Sequence, residues 1–271
     1  MRTRLAAALL PTLILAGCLQ SNTIVRVNAD GSGTLENQTV MTAAALAQMR
    51  QLTGALRGAN AQVDPFSEEQ SRAVAAQMGE GVTLLSSEPI KTGTSEGRTT
   101  VYAFRDITKL RVSQAPATPG GTSLRAGGLS AGGDRGMVTI DLDRTAAGSA
   151  LLTLHTPGDP LSALFNQIGS VNRQGGPIAP DQMVMMRQML GGMRIALRVE
   201  PMGRLIRSNS PYVEGQTVTL FDIDIDELLK NEEAFARLQS AKTPAETAAA
   251  LANVPGVKIA PERDITIEFA R

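Results

Sequence analysis

The chain has 271 residues, with 26 basic and 26 acidic side chains, one Cys, one His and no Trp. A hydrophobic fraction of 42% with 19% charged residues excludes wholesale disorder and a polytopic membrane protein. The balanced charge gives no reason to expect nucleic acid as a partner, and one Cys with one His supplies neither a zinc site nor an internal disulfide.

The first 18 residues have the pattern of an export signal. Arg2 and Arg4 flank the start of an apolar stretch, Leu5 to Leu15, that is about half as long as a bilayer-spanning helix. The stretch ends in Leu15-Ala16-Gly17-Cys18 and resembles a bacterial lipoprotein precursor, whose Cys is lipidated and becomes the new N-terminus. The alternative is a buried Cys in an apolar helix. We expect residues 1–17 to be a signal peptide and Cys18 to carry acyl chains such as palmitate.

The mature chain, residues 18–271, is expected to be a single extracytoplasmic domain in the cell envelope, held on a membrane through Cys18. Leu19 follows the Cys, and a residue other than Asp at that position favours the outer membrane in a diderm host.

Strands are predicted where apolar and polar residues alternate. Ile24 to Asn28 and Thr34 to Met41 flank the turn Asp30-Gly31-Ser32-Gly33, which predicts a hairpin. A polar face on every second residue is typical of half-buried strands in an antiparallel sheet with one wet side. Three further strands show apolar alternation at Val138/Ile140/Leu142, Ile195/Leu197/Val199 and Ile265/Ile267/Phe269.

Helices are predicted from caps and helical spacing. Strands and helices come in blocks, which predicts an α+β fold of mostly antiparallel sheet with several packed helices. Five helices are predicted. The first follows Thr42 and contains Leu46, Met49, Leu52 and Leu56. The others run from Ser67 to near Gly79, from Asp159 to Gly169, from Glu227 to Ser240 and from Thr243 to Asn253.

Residues 113–136 interrupt these patterns with two prolines and seven glycines. We interpret them as a long flexible loop within the domain, the alternative being a boundary between two domains. Gly128-Leu129-Ser130-Ala131-Gly132 in this loop matches the nucleophile elbow of esterases, but neither a strand nor a helix is predicted beside it.

The remaining candidate groups favour structural roles. His155 ends the alternation Leu151, Thr153, His155 and is expected at the surface. Asp222, Asp224, Asp226 and Glu227 lack EF-hand spacing, and a wet strand face that runs into a helix cap explains them better than calcium. No catalytic residue, metal ion or cofactor is predicted.

Residues 181–207 combine methionines with arginines. Thioethers adapt to varied apolar shapes and guanidinium groups hold phosphate or carboxylate, so together they suit an anionic amphiphile. The alternative is a core helix followed by a strand whose Arg face is solvated or paired with the acidic segment 222–233. The residues assigned to the ligand are Met183, Met186, Arg187, Met189, Arg194, Arg198, Arg204 and Arg207.

The mature chain resembles the LppM-type envelope lipoproteins. The resemblance lies in Cys18 leading into the strand Ile24 to Asn28, in the turn Asp30-Gly31-Ser32-Gly33, and in Ser208-Asn209-Ser210 followed by the stretch Glu214 to Thr219. It implies a non-enzymatic α+β envelope domain and carries over no functional residue.

These observations predict a membrane-anchored, non-enzymatic envelope lipoprotein that binds an anionic lipid or another amphiphile. The alternatives are a scaffold that docks an envelope protein through a sheet edge or the Met helix, and an envelope hydrolase with a carboxylate-only mechanism.

Overall fold

The computed structural model describes residues 19–47, 66–114, 137–145, 148–156, 184, 187, 190–241 and 243–270. Within these residues the chain forms thirteen strands in two sheets, together with short helices. The two sheets contribute to one shared hydrophobic core.

The large sheet has eight strands in the order β10-β11-β8-β1-β2-β4-β3, with β12 beside β11. These strands are β1 (Leu19–Val27), β2 (Gly33–Thr42), β3 (Thr83–Lys91), β4 (Ser95–Phe104), β8 (Arg194–Pro201), β10 (Val213–Glu214), β11 (Thr217–Asp224) and β12 (Val257–Ile259). All neighbours are antiparallel except β1 and β8, which run parallel. The first strand of the described chain is therefore central in its sheet.

The small sheet has five strands in the order β5-β6-β7-β13-β9, and every neighbouring pair is antiparallel. The strands are β5 (Val112–Ser113), β6 (Met137–Arg144), β7 (Ser149–His155), β9 (Arg204–Ser208) and β13 (Asp264–Ala270). β5 and β6 pair through Val112 and Val138, and residues 115–136 between them lie outside the described residues.

The shared core takes the apolar face of each predicted strand. On β8, Ile195, Leu197 and Val199 are buried on one face, while Arg194 and Arg198 lie on the other. The three strands predicted from alternation are confirmed, because each buries one face in this core. The buried side chains contributed by the small sheet include Ile140, Leu152, Leu154, Ile265, Ile267 and Phe269.

The predicted hairpin of β1 and β2 is confirmed, with register partners from Leu19 and Met41 to Val27 and Gly33. Gly31 takes φ +84 in its turn, and Asp30 Oδ1 accepts a hydrogen bond from the Ser32 amide at 2.9 Å. A Cβ at Gly33 would lie 2.0 Å from the Arg26 carbonyl oxygen, so the tight turn requires glycine there.

The helices are short, and two of them begin at the predicted caps Ser67 and Thr243. Ser67 Oγ accepts from the Gln70 amide, and Thr243 with Glu246 forms a complete capping box. The predicted helix 227–240 is two helices, because Asn231 ends the first and caps the second. They are α1 (Glu68–Gln77), α2 (Ile225–Lys230), α3 (Glu232–Ser240) and α4 (Pro244–Leu251), with a 3-10 turn at Ile107–Lys109.

Two helix predictions fall largely outside the described residues. Residues 43–47 are helical after Thr42, whose hydroxyl accepts from the Ala45 amide at 3.3 Å. The remainder of that helix and the helix predicted for 159–169 are not described.

The predicted α+β class is wrong: the described chain is mostly β, with helices that are few and short. Strand pairing accounts for the difference. The edge segments β3, β9, β10 and β12 carry too little apolar alternation to be predicted singly, yet each gains backbone hydrogen bonds by adding to a neighbour. Caps, by contrast, mark where a helix begins but not how long it becomes.

Candidate functional site

The predicted ligand residues are distributed over two sheets. Arg194 and Arg198 lie on β8 of the large sheet, whereas Arg204 and Arg207 lie on β9 of the small sheet. Arg187 is in a helical position before β8. Met183, Met186 and Met189 lie outside the described residues. The structure therefore brings Arg194 and Arg198 together and separates them from the β9 arginines.

Asp222 on β11 joins the two β8 arginines. Arg194 donates from Nε to Oδ1 at 2.9 Å and from Nη2 to Oδ2 at 3.0 Å, and Arg198 Nη2 donates to Oδ2 at 2.5 Å. Arg198 also donates to the Asn22 side chain. A bidentate fork plus a second guanidinium is a strong arrangement for a carboxylate. We call this group the Asp222 centre.

The Asp222 centre lies on the large-sheet face turned away from the core, but its carboxylate is shielded. The Asp222 side chain is 9% exposed, whereas that of Arg194 is 51% exposed. Burial acts to raise the pKa of Asp222, yet the hydrogen bond from Arg194 and the charges of both arginines outweigh it and hold that pKa below its usual value. The prediction of a wet strand face is wrong for Asp222, because both neighbouring guanidinium groups cover it.

Asp224 confirms the predicted helix cap. Its Oδ1 accepts from the amides of Asp226 at 3.0 Å and Glu227 at 3.3 Å, which opens α2. Among the described residues no cluster of three or more His, Cys, Asp or Glu side chains is placed to hold a metal ion.

Of the other described arginines of the hypothesis, Arg187 and Arg207 have polar contacts. Arg187 Nη2 donates to the Leu229 carbonyl oxygen at 3.0 Å and reaches Glu232 at 3.3 Å. Arg207 Nε donates to Glu268 at 2.6 Å, and that hydrogen bond, with one from Ser149, lowers the pKa of Glu268. Arg204 is exposed at the start of β9. The pairing of Arg187, Arg194 and Arg198 with residues 222–232 is the arrangement that the alternative interpretation describes.

A second ionic group lies farther along the same face of the large sheet. Arg26 on β1 donates to Glu36 at 2.7 Å and to Glu200 at 2.9 Å, so that it links β2, β1 and β8. The contact with Glu36 raises the pKa of Arg26. This face is therefore ionic across its central strands.

His155 was predicted at the surface, and it lies in β7 between two carboxylates. Its Nδ1 lies 2.8 Å from Asp264 Oδ1 on β13, and its Nε2 lies 3.0 Å from Asp141 Oδ2 on β6. The hydrogen bond with Asp264, followed by that with Asp141, raises the pKa of His155. We call this group the His155 clamp. Sequence reasoning missed it because the two aspartates become neighbours only through strand pairing.

The start of β1 forms a small second apolar cluster. Leu19, the residue directly after Cys18, is 6% exposed and packs with Met41, Ala45, Leu46 and Phe66. Met193, the last residue of the methionine-rich segment, packs against the same cluster. The methionine-rich segment thus ends at the apolar cluster that contains Leu19. Cys18 itself lies outside the described residues.

The esterase-like motif at 128–132 also lies outside the described residues. Both ring nitrogens of His155 are within hydrogen-bonding distance of carboxylates, so neither is directed at a hydroxyl nucleophile in the described chain. None of the described helices is long and apolar enough to cross a bilayer.

No protein-family model matches the chain, and no curated protein matches its sequence. Among solved structures, the chain is similar to the folded domain of the LppM protein of Mycobacterium tuberculosis, determined by NMR. The identity is 9%, the match covers 94% of this chain and 91% of that domain, and the TM-score is 0.31. A TM-score of this size does not establish a common fold.

Proposed function

We propose that the protein is a lipid-anchored, non-enzymatic component of the cell envelope, attached to the membrane through Cys18. The observation that carries the proposal is the sequence Leu15-Ala16-Gly17-Cys18 placed directly before the first strand of the folded body. A Cys at this position is the natural boundary between a removed leader and a folded mature domain. In a diderm host the outer membrane is the expected location, because Leu19 rather than Asp follows the Cys.

The anchor is tested by Cys18→Ala in the full-length chain. We expect the parent protein to stay with membranes through a 1 M NaCl wash and its mature N-terminus to carry acyl mass, while the variant loses both. Ser21→Ala, three residues further on, is the matched control and should stay with the membrane through the wash. Retention of Cys18→Ala after the wash, or an unmodified Cys18 in the parent, would contradict the proposal.

We further propose that the folded domain binds an anionic amphiphile near β8. Two observations support this: Met193 packs beside Leu19, and the Arg194 guanidinium remains half exposed although it pairs with Asp222. Flexible thioethers suit acyl chains, and an exposed guanidinium edge suits a phosphate or carboxylate headgroup.

The amphiphile proposal is tested with Arg194→Gln in the Cys18→Ala background, using sedimentation with phosphatidylglycerol vesicles. Arg198 still holds Asp222 in this variant, so the fold should survive. We expect weaker vesicle binding than in the parent, and no change for Arg72→Gln, an exposed arginine on α1. If Arg194→Gln and Arg72→Gln bind the vesicles equally, or if the Cys18→Ala protein without either change does not bind them, the amphiphile proposal is contradicted. Neither outcome bears on the anchor.

A further inference from the structure

We infer that the end of the large sheet at Leu19 faces the bilayer and lies against its headgroups through an uncharged surface formed by residues 42–47 and 92–95. We call this surface the proximal patch. The inference rests on the proposed anchor at Cys18 and adds to it the orientation of the folded body and the surface that meets the lipid.

Cys18 is bonded directly to the first residue of β1. Adjacent Cα atoms are about 3.8 Å apart, so Leu19 lies within one residue of a lipidated Cys18. Leu19 is itself held: it pairs with Met41 in the β ladder and is buried in the small cluster. No linker therefore separates the anchor from the sheet, and the sheet end that carries Leu19 must stay near the membrane.

Strand register identifies the neighbours of Leu19 at this end. Met41 is opposite Leu19, and Thr42 is opposite Ser95 on β4. The Ala43 amide donates to the Thr94 carbonyl oxygen at 2.9 Å, which joins residues 43–47 to the β3–β4 turn. The two parts of the proximal patch are thus one continuous surface.

The chemistry of the proximal patch suits contact with headgroups. Residues 42–47 read Thr-Ala-Ala-Ala-Leu-Ala and residues 92–95 read Thr-Gly-Thr-Ser, without an ionisable side chain. Thr92 Oγ1 accepts from the amides of Thr94 and Ser95 at 3.4 and 3.0 Å, so the turn satisfies its own backbone donors. The proximal patch itself contains no charge that contact with a bilayer would remove from water, and its turn amides stay paired. Lys91 and Glu96 border it.

The opposite end of the sheet lies far from the anchor and has charged residues in its turns. β1 has nine residues, and its eight residue-to-residue steps of about 3.3 Å place its far end roughly 26 Å from Leu19. Asp30, Arg105, Asp106 and Arg144 lie at that end, where Arg144 donates to the carbonyl oxygens of Ala29 and Asp30. The end at Leu19 carries charges of its own at Lys91, Glu96 and Arg194, but it is the end next to the anchor, and the proximal patch beside those charges has none.

The experiment uses the full lipidated chain in vesicles that contain headgroup-attached nitroxide lipids, which quench fluorophores at contact range. Gly93→Cys places a label in the proximal patch, where an added Cβ meets no atom within 4 Å. Arg105→Cys places the same label at the opposite end, on an exposed residue. Ala44→Cys and Met202→Cys, both exposed, are second positions for the two ends if either first variant fails to fold.

We expect the label at residue 93 to lose most of its fluorescence and the label at residue 105 to lose almost none. Equal quenching at both positions, or stronger quenching at 105, in protein that floats with the vesicles would overturn the orientation while the anchor stands. Labelled protein that does not float with the vesicles would overturn both the anchor and this inference.

Discussion

The Asp222 centre lies on the outer face of the large sheet and the His155 clamp on that of the small sheet, and their charges are arranged with opposite signs. In the Asp222 centre one carboxylate joins two arginines of a neighbouring strand. In the His155 clamp one imidazole joins two aspartates, one on each neighbouring strand. Both use the same principle, a group of one charge placed between two of the other across strand pairs.

Burial separates the two centres. The Asp222 side chain is 9% exposed, whereas His155 is 39% exposed and its partners Asp141 and Asp264 are 72% and 64% exposed. Exposed ion pairs contribute little to stability because water and salt screen them. Removing one partner of a shielded ion pair lowers stability more, because the remaining charge is left unpaired. Similar geometry on the two sheet faces therefore does not imply that the two centres contribute equally to the stability of the protein.

The largest expected effect comes from Asp222→Ala. The change removes charge-assisted hydrogen bonds to two arginines at once, and we expect the free energy of unfolding to fall by about 2 to 3 kcal/mol. Urea denaturation at pH 7 measures it. Asp143→Ala, an exposed aspartate on β6, is the matched control and should change stability by less than about 0.5 kcal/mol. If the unfolding free energy falls no more for Asp222→Ala than for Asp143→Ala, the assigned contribution of the Asp222 centre is wrong.

The contribution of Asp222 should disappear in acid. Its pKa is lower in the folded than in the unfolded protein, so its contribution is present above the unfolded value of about 3.9 and is lost as pH falls through the folded value. The difference in unfolding free energy between the parent and Asp222→Ala should therefore be full at pH 7 and small near pH 2. A difference that grows on acidification would contradict the assigned sign.

His155→Gln should have a smaller effect with the opposite pH dependence. The folded pKa of His155 is raised, so its contribution is fully present below the unfolded value of about 6.5 and is lost as pH rises through the folded value. We expect less than about 1 kcal/mol at pH 5.5 and almost none at pH 9, measured by urea denaturation. A loss that is larger at pH 9 would show that the clamp does not hold the protonated ring.

The smallest effect distinguishes the two centres by salt. At about 1 M ionic strength the Debye length falls to about 3 Å, which screens exposed pairs far more than shielded ones. The pH 5.5 cost of His155→Gln should largely vanish in 1 M NaCl, while the pH 7 cost of Asp222→Ala should mostly persist. Equal salt sensitivity of the two costs would mean that burial does not separate the centres.

Local patterns in the sequence predicted several elements and their faces. The turn Asp30-Gly31-Ser32-Gly33 identified its hairpin, and the caps at Ser67 and Thr243 identified helix starts, because these signals act over a few residues. Alternation placed Ile195, Leu197 and Val199 on a buried face for the same reason.

Partner choice between distant segments could not be predicted in this way. Nothing local to Ile24 or Arg198 indicates that their strands pair. The alternative interpretation named segment 222–233 as a partner for the arginines, but nothing local to Asp222 indicates that it is the residue that Arg194 covers. The division of the helix 227–240 at Asn231 was missed because an asparagine is tolerated inside helices as well as at caps. The fold class was wrong for the same reason as the His155 clamp was missed: both depend on which distant strands pair.

The parallel pairing of β1 with β8 sets the order in which the sheet is completed during folding. Arg26 and its β8 partner Glu200 are 174 residues apart in the chain, so β1 to β4 are synthesised long before β8 is available. Until then β1 exposes an open hydrogen-bonding edge, which is a template for aggregation, and closing so long a loop is slow. Export that delivers the complete chain before folding begins would spare the protein that vulnerable half-sheet, whereas a product truncated before residue 194 would retain it permanently.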